Sequence, residues 1–236
     1  MEKMTGKKAI MVLGPPGSGK GTQAKELAEK LGFFHFITSA VGKDYIATHN
    51  DPETQKQMEN YKAGILFDPS WLMKILKEKT EEVLKNNKGI VYDGSPRTFP
   101  EAEFLYKLLS GIIGTGNISV IEIDVGDEEL KKRLAKRLIC SKSSNHVFIR
   151  SEKLSPGDSC PEGDGILNER DLDKPELFDT RLAEYNNRTL PGLEFLKKTH
   201  SVITINGDQS IEEVQNDILE ALQTCITILI NKNDYN

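Results

Sequence analysis

Gly14-Pro15-Pro16-Gly17-Ser18-Gly19-Lys20 is the most informative stretch of the chain. It has the spacing of a phosphate-binding loop, and it lies between an apolar run at residues 8–13, which predicts a buried strand, and a helical pattern at residues 19–31. Glycines let the backbone turn around an anion without a Cβ clash, so that N–H groups point inward. The helix N-terminus adds partial positive charge, and Lys20 can reach the β- and γ-phosphates of a nucleotide. A glycine-rich turn that binds nothing is the alternative, and the strand, lysine and helix in register disfavour it.

The position after the lysine departs from the general motif. Gly21 stands where most phosphate loops have Ser or Thr, and the hydroxyl comes one residue later, at Thr22. A magnesium ion at this loop should therefore have fewer direct protein ligands and more water than in proteins with the usual motif.

Strand and helix patterns alternate along most of the chain, which predicts an α/β protein with a parallel sheet. Beyond the loop, strands are predicted at residues 89–92, 118–125 and 202–205. Helices are predicted at residues 41–63 in two pieces, 69–86, 127–138 and 211–230. Residues 139–168 interrupt this rhythm, because they are rich in Ser, Gly, Pro and Asp. A loop of this length inside a compact domain is usually functional, and we interpret it as a small inserted subdomain that acts as a lid.

Composition narrows the class of protein. The formal net charge of −5 argues against a protein that binds nucleic acid or an anionic membrane surface. No apolar stretch approaches the ~20 residues that span a bilayer, and the apolar run at residues 9–13 is too short for a signal peptide. Three cysteines in 236 residues do not suggest a disulfide framework, so we expect a reducing, cytoplasmic setting.

Several motifs resemble those of adenylate kinases. Lys20-Gly21-Thr22-Gln23 is that family's form of the phosphate loop, and residues 93–98, Asp-Gly-Ser-Pro-Arg-Thr, resemble its Asp-Gly-Phe-Pro-Arg-Thr. Arg133 and Arg137 lie four residues apart on the predicted helix before the insertion. Two further arginines, Arg170 and Arg181, follow the insertion, and Ala63-Gly64 and Asn206-Gly207-Asp208 also fall where the family has similar motifs. The resemblance covers most of the chain.

The resemblance implies a long-lid P-loop nucleoside monophosphate kinase that moves a phosphoryl group from ATP-Mg to AMP. It also implies a monomer, as is usual in that family. It divides the chain into a core (residues 1–38, 69–138 and 169–236), monophosphate-binding helices (residues 39–68) and a lid (residues 139–168). The catalytic residues it implies are Lys20, Arg97, Arg137, Arg170 and Arg181. The residues it implies for ATP-Mg are Gly17, Ser18, Gly19, Lys20, Gly21, Thr22, Asp93, Arg133, Arg137, His146, Val147 and Gln209. The residues it implies for the acceptor are Ser39, Asp44, Ile65, Leu66, Phe67, Gly94, Ser95, Pro96, Arg97, Glu101, Arg170 and Arg181.

The chemistry of phosphoryl transfer explains these residue types. Its transition state is loose, with charge spread over the equatorial oxygens, so positioning and positive charge supply most of the catalysis. Guanidinium forks suit phosphate better than ammonium groups do. By the resemblance, Arg133 stacks on the donor adenine, Asp93 holds magnesium through water, and the lid closes over both nucleotides before transfer.

The acceptor site departs from the family pattern. Relatives have Thr-Gly-Asp-hydrophobic-Leu-Arg, whereas residues 39–44 here are Ser-Ala-Val-Gly-Lys-Asp. A gap-free alignment puts Asp44 at the position of the arginine that grips the monophosphate, where a carboxylate would repel it; the alternative is that Lys43 or a local register shift satisfies the phosphate. Glu101 replaces a glutamine that reads the base, and an ionised Glu can only accept hydrogen bonds.

Three functions remain open on the sequence alone. The first is an adenylate kinase with an altered acceptor site. The second is a kinase for another monophosphate, because Glu101 would suit a base edge with two donors. The third is a regulatory homologue that binds nucleotide and turns over slowly, although such a protein has no need to keep Lys20, Asp93 and the arginines.

The lid differs from that of many relatives, which carries four cysteines around zinc. The corresponding positions here are Cys140, Ser143, Cys160 and Gly163, and two thiolates do not make a structural zinc site by themselves. His146 and Asp164 lie nearby, but their spacing is not the usual one. We therefore expect a lid without zinc, with Cys140 and Cys160 as weak candidate ligands.

Overall fold

The computed structural model of the chain describes residues 7–87 and 89–233. Its centre is a sheet of five parallel strands: β1 (Lys8–Leu13), β2 (Phe34–Ile37), β3 (Gly89–Asp93), β4 (Ile118–Asp124) and β8 (Val202–Asn206). Their spatial order is β2-β3-β1-β4-β8. Parallel strands need helical crossovers, which the sequence pattern supplies, and the predicted α/β fold class is confirmed.

Helices cover both faces of this sheet. They are α1 (Lys20–Leu31), α2 (Thr38–Thr48), α3 (Pro52–Lys62), α4 (Pro69–Asn86), α5 (Phe99–Ile113), α6 (Asp127–Lys136), α7 (Pro175–Glu184), α8 (Leu190–Thr199) and α9 (Ile211–Asn233). Alternate side chains of β1 enter different cores: Met11 packs with α4, α5 and α8, whereas Ile10 packs with α1, α6 and α9. In the described part of the chain, no helix is both long and apolar enough to cross a membrane.

A separate three-stranded antiparallel sheet occupies the predicted lid. Its strands are β5 (Arg137–Cys140), β6 (Ser143–Ile149) and β7 (Leu167–Glu169), in the order β6-β5-β7. This corrects the predicted helix at residues 127–138, because α6 ends at Lys136 and Arg137 already pairs with Ile149. Pairing in the small sheet overrides the helical pattern at those residues, so that Arg133 and Arg137 do not share a helix. A cluster of buried side chains, which includes Leu138 and Leu167, forms the core of this sheet.

The order of the strands brings the two main motifs together. β1 and β3 are neighbours, and Val12 pairs with Asp93 at the carboxyl ends of the two strands. The phosphate loop that follows β1 and the turn that follows β3 therefore leave the sheet side by side. In open parallel sheets this edge is where ligands bind.

Candidate active site

The phosphate loop leads from β1 directly into α1. Gly17 and Gly19 have φ values of 93° and 88°, which residues with a Cβ rarely adopt, and Gly19 is the N-cap of α1. Ser18 Oγ is buried and has no hydrogen-bond partner among the described residues. Since buried polar atoms normally have a partner, an inward-facing loop with a free hydroxyl at a helix N-terminus fits an anionic ligand.

Lys20 and Asp93 lie at the base of this loop, and both are mostly but not fully buried. Lys20 Nζ donates to the carbonyl oxygen of Pro15 at 3.1 Å. Burial and the neighbouring Arg97 lower the pKa of Lys20 to about 7, although Asp93 opposes this shift. Burial alone would raise the pKa of Asp93, but His35, whose Nε2 lies 3.7 Å from Asp93 Oδ2, and the charge of Lys20 bring it below its ordinary value. Asp93 is therefore ionised at neutral pH.

Four arginines converge on Lys20 from separate segments. They follow β3, begin β5, follow β7 and lie on α7: Arg97, Arg137, Arg170 and Arg181. Burial and mutual repulsion lower the pKa values of three of them, Arg97, Arg137 and Arg181. We call these four residues and Lys20 the cation cluster.

Asp173 is the carboxylate that holds two members of the cation cluster. Arg137 Nε donates to Asp173 Oδ2 at 2.6 Å, and Arg181 donates to Asp173 Oδ1 at 2.9 Å and to the carbonyl oxygen of Leu172 at 2.8 Å. Only 5% of the Asp173 side chain is exposed, which makes it an integral part of the site. Even with Asp93 and Asp173, the five cations exceed these two carboxylates, so the site is arranged for an anion with several negative charges.

A narrow cavity beside Arg97, the small cavity, has a volume of about 30 Å³. Its lining residues are Thr38, Ser39, Tyr61, Ile65, Leu66, Phe67, Leu72, Arg97 and Glu101. Arg170 donates to Tyr61 Oη at 3.4 Å, which joins this wall to the cation cluster. The volume is close to that of one water molecule, so a nucleobase can enter only when the walls move apart.

A wider cavity, the large cavity, has a volume of about 690 Å³. Its lining residues are Gly126, Asp127, Glu128, Glu129, Lys132, Arg133, Asp208 and Gln209. Glu129 and the carbonyl oxygen of Gly207 accept hydrogen bonds from Arg133 at 3.0 and 2.8 Å and fix its guanidinium plane. A planar guanidinium held in this way offers a stacking surface for an aromatic ring.

Comparison with known proteins agrees with this geometry. The family model described as adenylate kinase matches residues 12–201. This chain belongs to the adenylate kinase family. It is 36% identical over 214 residues to the adenylate kinase of Methanothrix thermoacetophila, an alignment that covers 90% of this chain and 97% of that protein. It is 32% identical to the adenylate kinase of Caldicellulosiruptor saccharolyticus over 217 residues (90% and 98%) and 30% identical to that of Mesomycoplasma hyopneumoniae over 211 residues (89% and 96%). The predicted family and enzyme class, a nucleoside monophosphate kinase, are confirmed.

The position of Asp44 differs from the expectation. In this adenylate kinase-family chain Asp44 is exposed on α2 and does not line the small cavity. Its neighbour Lys43 faces inward instead, with Nζ 5.5 Å from the centre of the Tyr61 ring. The charges of Arg170 and Lys43 both lower the pKa of Tyr61 against the effect of its burial. The structure therefore places Lys43, and not Asp44, beside the Tyr61 ring.

Glu101 does line the small cavity, but its carboxylate is engaged within the protein. One oxygen accepts from the Arg97 N–H at 2.9 Å and the other from Thr98 Oγ1 at 3.0 Å, while Thr98 caps α5. Burial raises the pKa of Glu101 despite these hydrogen bonds. The Thr-x-x-Glu spacing of a capping box was visible in the sequence and is the signal that the sequence analysis missed.

The turn after β3 is tied to the start of α2. Thr38 Oγ1 donates to Ser95 Oγ at 2.8 Å, and both side chains are buried. Ser95, where relatives have an aromatic residue, therefore joins the turn of Gly94 and Pro96 to the small cavity. A Cβ at Gly21 would lie 3.1 Å from Asp93 Oδ2, so the glycine after Lys20 keeps the first turn of α1 clear of this carboxylate.

Three further residues predicted for ATP-Mg also lie outside the phosphate loop: His146, Val147 and Gln209. Gln209 lines the large cavity and donates to the carbonyl oxygen of Asn206 at 2.8 Å. His146 lies in the small sheet beside Cys160, and Val147 is 39% exposed on β6. The structure therefore brings Gln209 to the large cavity with Arg133 but places neither His146 nor Val147 in its lining. The sequence analysis also missed Tyr61 and Asp173.

Proposed function

We propose that this chain catalyses reversible transfer of the γ-phosphoryl group of ATP-Mg to AMP, giving two molecules of ADP. The observation that carries this proposal is the cation cluster: one lysine and four arginines meet beside a phosphate loop, and Arg97 among them lines the small cavity. Membership of the adenylate kinase family supports the same reaction. The structure has two cavities, and two cavities suit two nucleotides whose phosphates meet at one set of cations.

The residues of the cation cluster would act by position and charge. The loop and Lys20 hold the β- and γ-phosphates of ATP, while Arg97 and Arg170, next to Tyr61, hold the phosphate of AMP. Arg137 and Arg181, fixed by Asp173, lie where they stabilise the charge on the transferring group. Because these guanidinium groups are held before substrate arrives, little reorganisation is needed at the transition state.

Magnesium fits the donor side of this site. Asp93 is a buried carboxylate with a pKa below its ordinary value, and hard oxygen donors of this kind are what Mg²⁺ prefers. We propose that Asp93 holds the ion through water and that Thr22 lies on the same side of the loop. When bound, the ion neutralises charge on the β- and γ-phosphates. The protein's own part is to keep Asp93 ionised, through His35 and Lys20, and to keep its oxygens accessible, through Gly21.

The acceptor end would use residues of the small cavity. Lys43 replaces the family arginine as the cation above the monophosphate, and Tyr61 and Phe67, whose ring centres are 6.1 Å apart, form the wall of the base pocket. Because the small cavity is narrow in this structure, α2 and α3 must move apart to admit AMP and then close over it. Closure of these helices and of the small sheet excludes water, which would otherwise hydrolyse ATP.

A steady-state assay with ATP-Mg and each of AMP, GMP, CMP and UMP tests this proposal. We expect kcat/KM to be highest with AMP, and formation of ADP to require magnesium. A higher kcat/KM with GMP would show that Glu101 selects another base. ATP binding without transfer to any monophosphate would show a regulatory homologue. We further propose that the chain works as a monomer in the cytoplasm, which sedimentation and cell fractionation would test.

A further inference from the structure

The segment between α3 and α4, residues 63–68, is hydrogen-bonded to α7 through one carboxylate. Leu66, which lines the small cavity, donates its backbone N–H to Glu184 Oε2 at 3.0 Å, and Glu184 is the last residue of α7. The same oxygen accepts from Arg188 at 2.8 Å, and only 21% of the Glu184 side chain is exposed. Hydrogen bonds to an ionised acceptor are stronger than those between neutral groups. Glu184 therefore fixes the backbone of the cavity wall to α7.

The same face of α7 contacts the start of this segment. Gly64 has a φ of 75°, and a Cβ placed on it would lie 3.2 Å from Arg181 Cγ. Arg181 and Glu184 are three residues apart on α7, so they share one face of the helix. The segment therefore crosses α7 at Gly64, where a glycine leaves room for the arginine, and Leu66 then meets Glu184. One helix supports both the cavity wall and a member of the cation cluster.

A widened helical turn follows Glu184. Residues Tyr185–Thr189 form a single π-helical turn, which is closed by an N–H that donates to a carbonyl oxygen five residues back. Thr189, at the end of this turn, donates its Oγ1 hydrogen to the carbonyl oxygen of Arg97 at 2.7 Å. Single π-helical turns are rare and occur frequently at functional sites. The two ends of this turn hold Leu66 and Arg97, and both of these residues line the small cavity.

The backbone of Arg97 is the fixed side of this arrangement. Its N–H donates to Glu101 and its carbonyl oxygen accepts from Thr189, so it is hydrogen-bonded in both directions. A Cβ at Gly192 would lie 2.9 Å from the carbonyl oxygen of Thr98, which shows how closely α8 approaches the same turn. The parts of the small cavity that must move to admit a nucleotide are therefore α2 and α3. The N–H bonded to Glu184 lies where the movable α3 joins the fixed part of the protein.

We propose that Glu184 is a positioning residue for the acceptor nucleotide and acts through the N–H of Leu66. This proposal rests on the proposed function, because it assigns AMP to the small cavity. With Leu66 held at one end of the π-helical turn and Arg97 at the other, the base wall and the cation that binds the phosphate of AMP keep a constant separation when α3 closes. Arg188 orients the carboxylate toward Leu66. Glu184 itself lies outside the lining of the cavity.

Calorimetric titration of the full-length protein with AMP tests the proposal. Glu184→Ala should weaken AMP binding about tenfold, because a charge-assisted hydrogen bond that fixes the wall is lost. Glu184→Gln keeps an oxygen that can accept from the Leu66 N–H, so it should recover most of the affinity. Binding of ATP-Mg should stay within about twofold in both variants, a difference that a general loss of packing would not produce. Asp179→Ala, an exposed acidic residue on α7, is the matched control and should bind AMP like the parent protein.

Amide hydrogen exchange shows whether the contact itself is responsible. In the nucleotide-free parent protein the Leu66 N–H should exchange slowly. It should exchange at least about tenfold faster in Glu184→Ala and remain protected in Glu184→Gln, because only the alanine variant lacks an acceptor. Arg188→Met keeps the carboxylate but not the group that orients it, so AMP affinity should fall by only about twofold. Melting temperatures of the nucleotide-free variants show that each is folded.

The outcomes separate this proposal from the proposed function. Equal AMP affinities of the parent protein and Glu184→Ala would overturn the positioning role and leave the proposed function standing. Equal losses of AMP and ATP-Mg binding would also overturn it, because Glu184 would then act on the fold as a whole. If Glu184→Ala does not fold, Arg188→Met replaces it in the comparison, and unchanged AMP affinity there counts against the proposal. No binding of AMP by the parent protein would overturn the proposed function, and the positioning role with it.

Discussion

The cation cluster and the small cavity differ in how far each is determined by a contiguous stretch of sequence. The loop around Lys20 is a contiguous motif whose shape comes from its own glycines, and Arg97 follows β3 by four residues. The small cavity is instead assembled from the first two residues of α2, the end of α3, the segment at residues 65–67, and single residues of α4 and α5, together with Arg97. At the loop, the motif excludes an alignment error of one residue. On α2 such an error exchanges Lys43 for Asp44 beside the Tyr61 ring.

Helix geometry explains this difference. One residue along an α-helix turns a side chain by about 100°, since 3.6 residues make a turn. Lys43 and Asp44 therefore point in different directions, and only Lys43 approaches Tyr61. A motif with few fixed residues, such as the segment after β2, can be aligned with the family motif in more than one way. The consequence here is that a lysine, and not an aspartate, lies beside the Tyr61 ring.

The largest effect should come from removing the ammonium group of the loop. Lys20→Met should lower kcat at least about 100-fold, because a preorganised positive charge at the transferring phosphate is lost. The melting temperature of the nucleotide-free variant should not fall, because Lys20 is buried among like charges that already depress its pKa. Lys30→Met, at the exposed end of α1, is the control and should match the parent. A variant with ordinary kcat would remove Lys20 from the mechanism.

The protonation state of Lys20 provides a second test of its contact with bound phosphate. Its pKa is about 7 in the nucleotide-free protein, so above that pH much of the lysine is uncharged. Bound phosphate favours the charged form and raises the pKa, so ATP binding at about pH 8 should be accompanied by proton uptake. Calorimetry in two buffers of different ionisation enthalpy measures this uptake. It should disappear in Lys20→Met, and uptake that persists there would assign the proton to another group.

A smaller effect, on KM for AMP, should distinguish the role of Lys43 from that of Asp44. Lys43→Ala should raise KM for AMP about tenfold with little change in KM for ATP, because a charge-assisted hydrogen bond of about 1.5–3 kcal/mol is lost at the acceptor phosphate. Asp44→Ala should leave both constants within about twofold, since its side chain faces solvent. Each variant is the control for the other. The opposite ranking would restore the original alignment and place Asp44 in the acceptor site.

The sequence predicted the parts of the molecule that local patterns specify. Four of the five strands of the central sheet, α1, α4 and the phosphate loop follow from apolar periodicity, glycines and caps, whereas β2 was not assigned as a strand. Helices α5, α7 and α8 were not assigned, and Asp173 was missed because its role depends on Arg137 and Arg181 meeting across the chain. The proximity of His146 to Cys140 and Cys160 could not be predicted from their spacing, because it depends on strand pairing in the small sheet. What could not be predicted was the contact between distant segments.

The smallest effect should come from substitution of Glu101. It tests whether this residue reads the base of the nucleotide or caps helix α5. Its pKa is raised in the folded protein above the ordinary value of 4.5, so the stability that it contributes is complete at low pH and declines as pH rises through the folded pKa. Glu101→Gln keeps one acceptor for Arg97 N–H or Thr98 Oγ1 and cannot ionise. Relative to the parent, its free energy of unfolding should therefore rise between about pH 4 and pH 7. Urea denaturation at the two pH values measures this, with Glu103→Gln, an exposed neighbour on α5, as the control. If the difference instead falls with pH, the hydrogen bonds from Arg97 and Thr98 outweigh burial, and the cap is built for the ionised carboxylate.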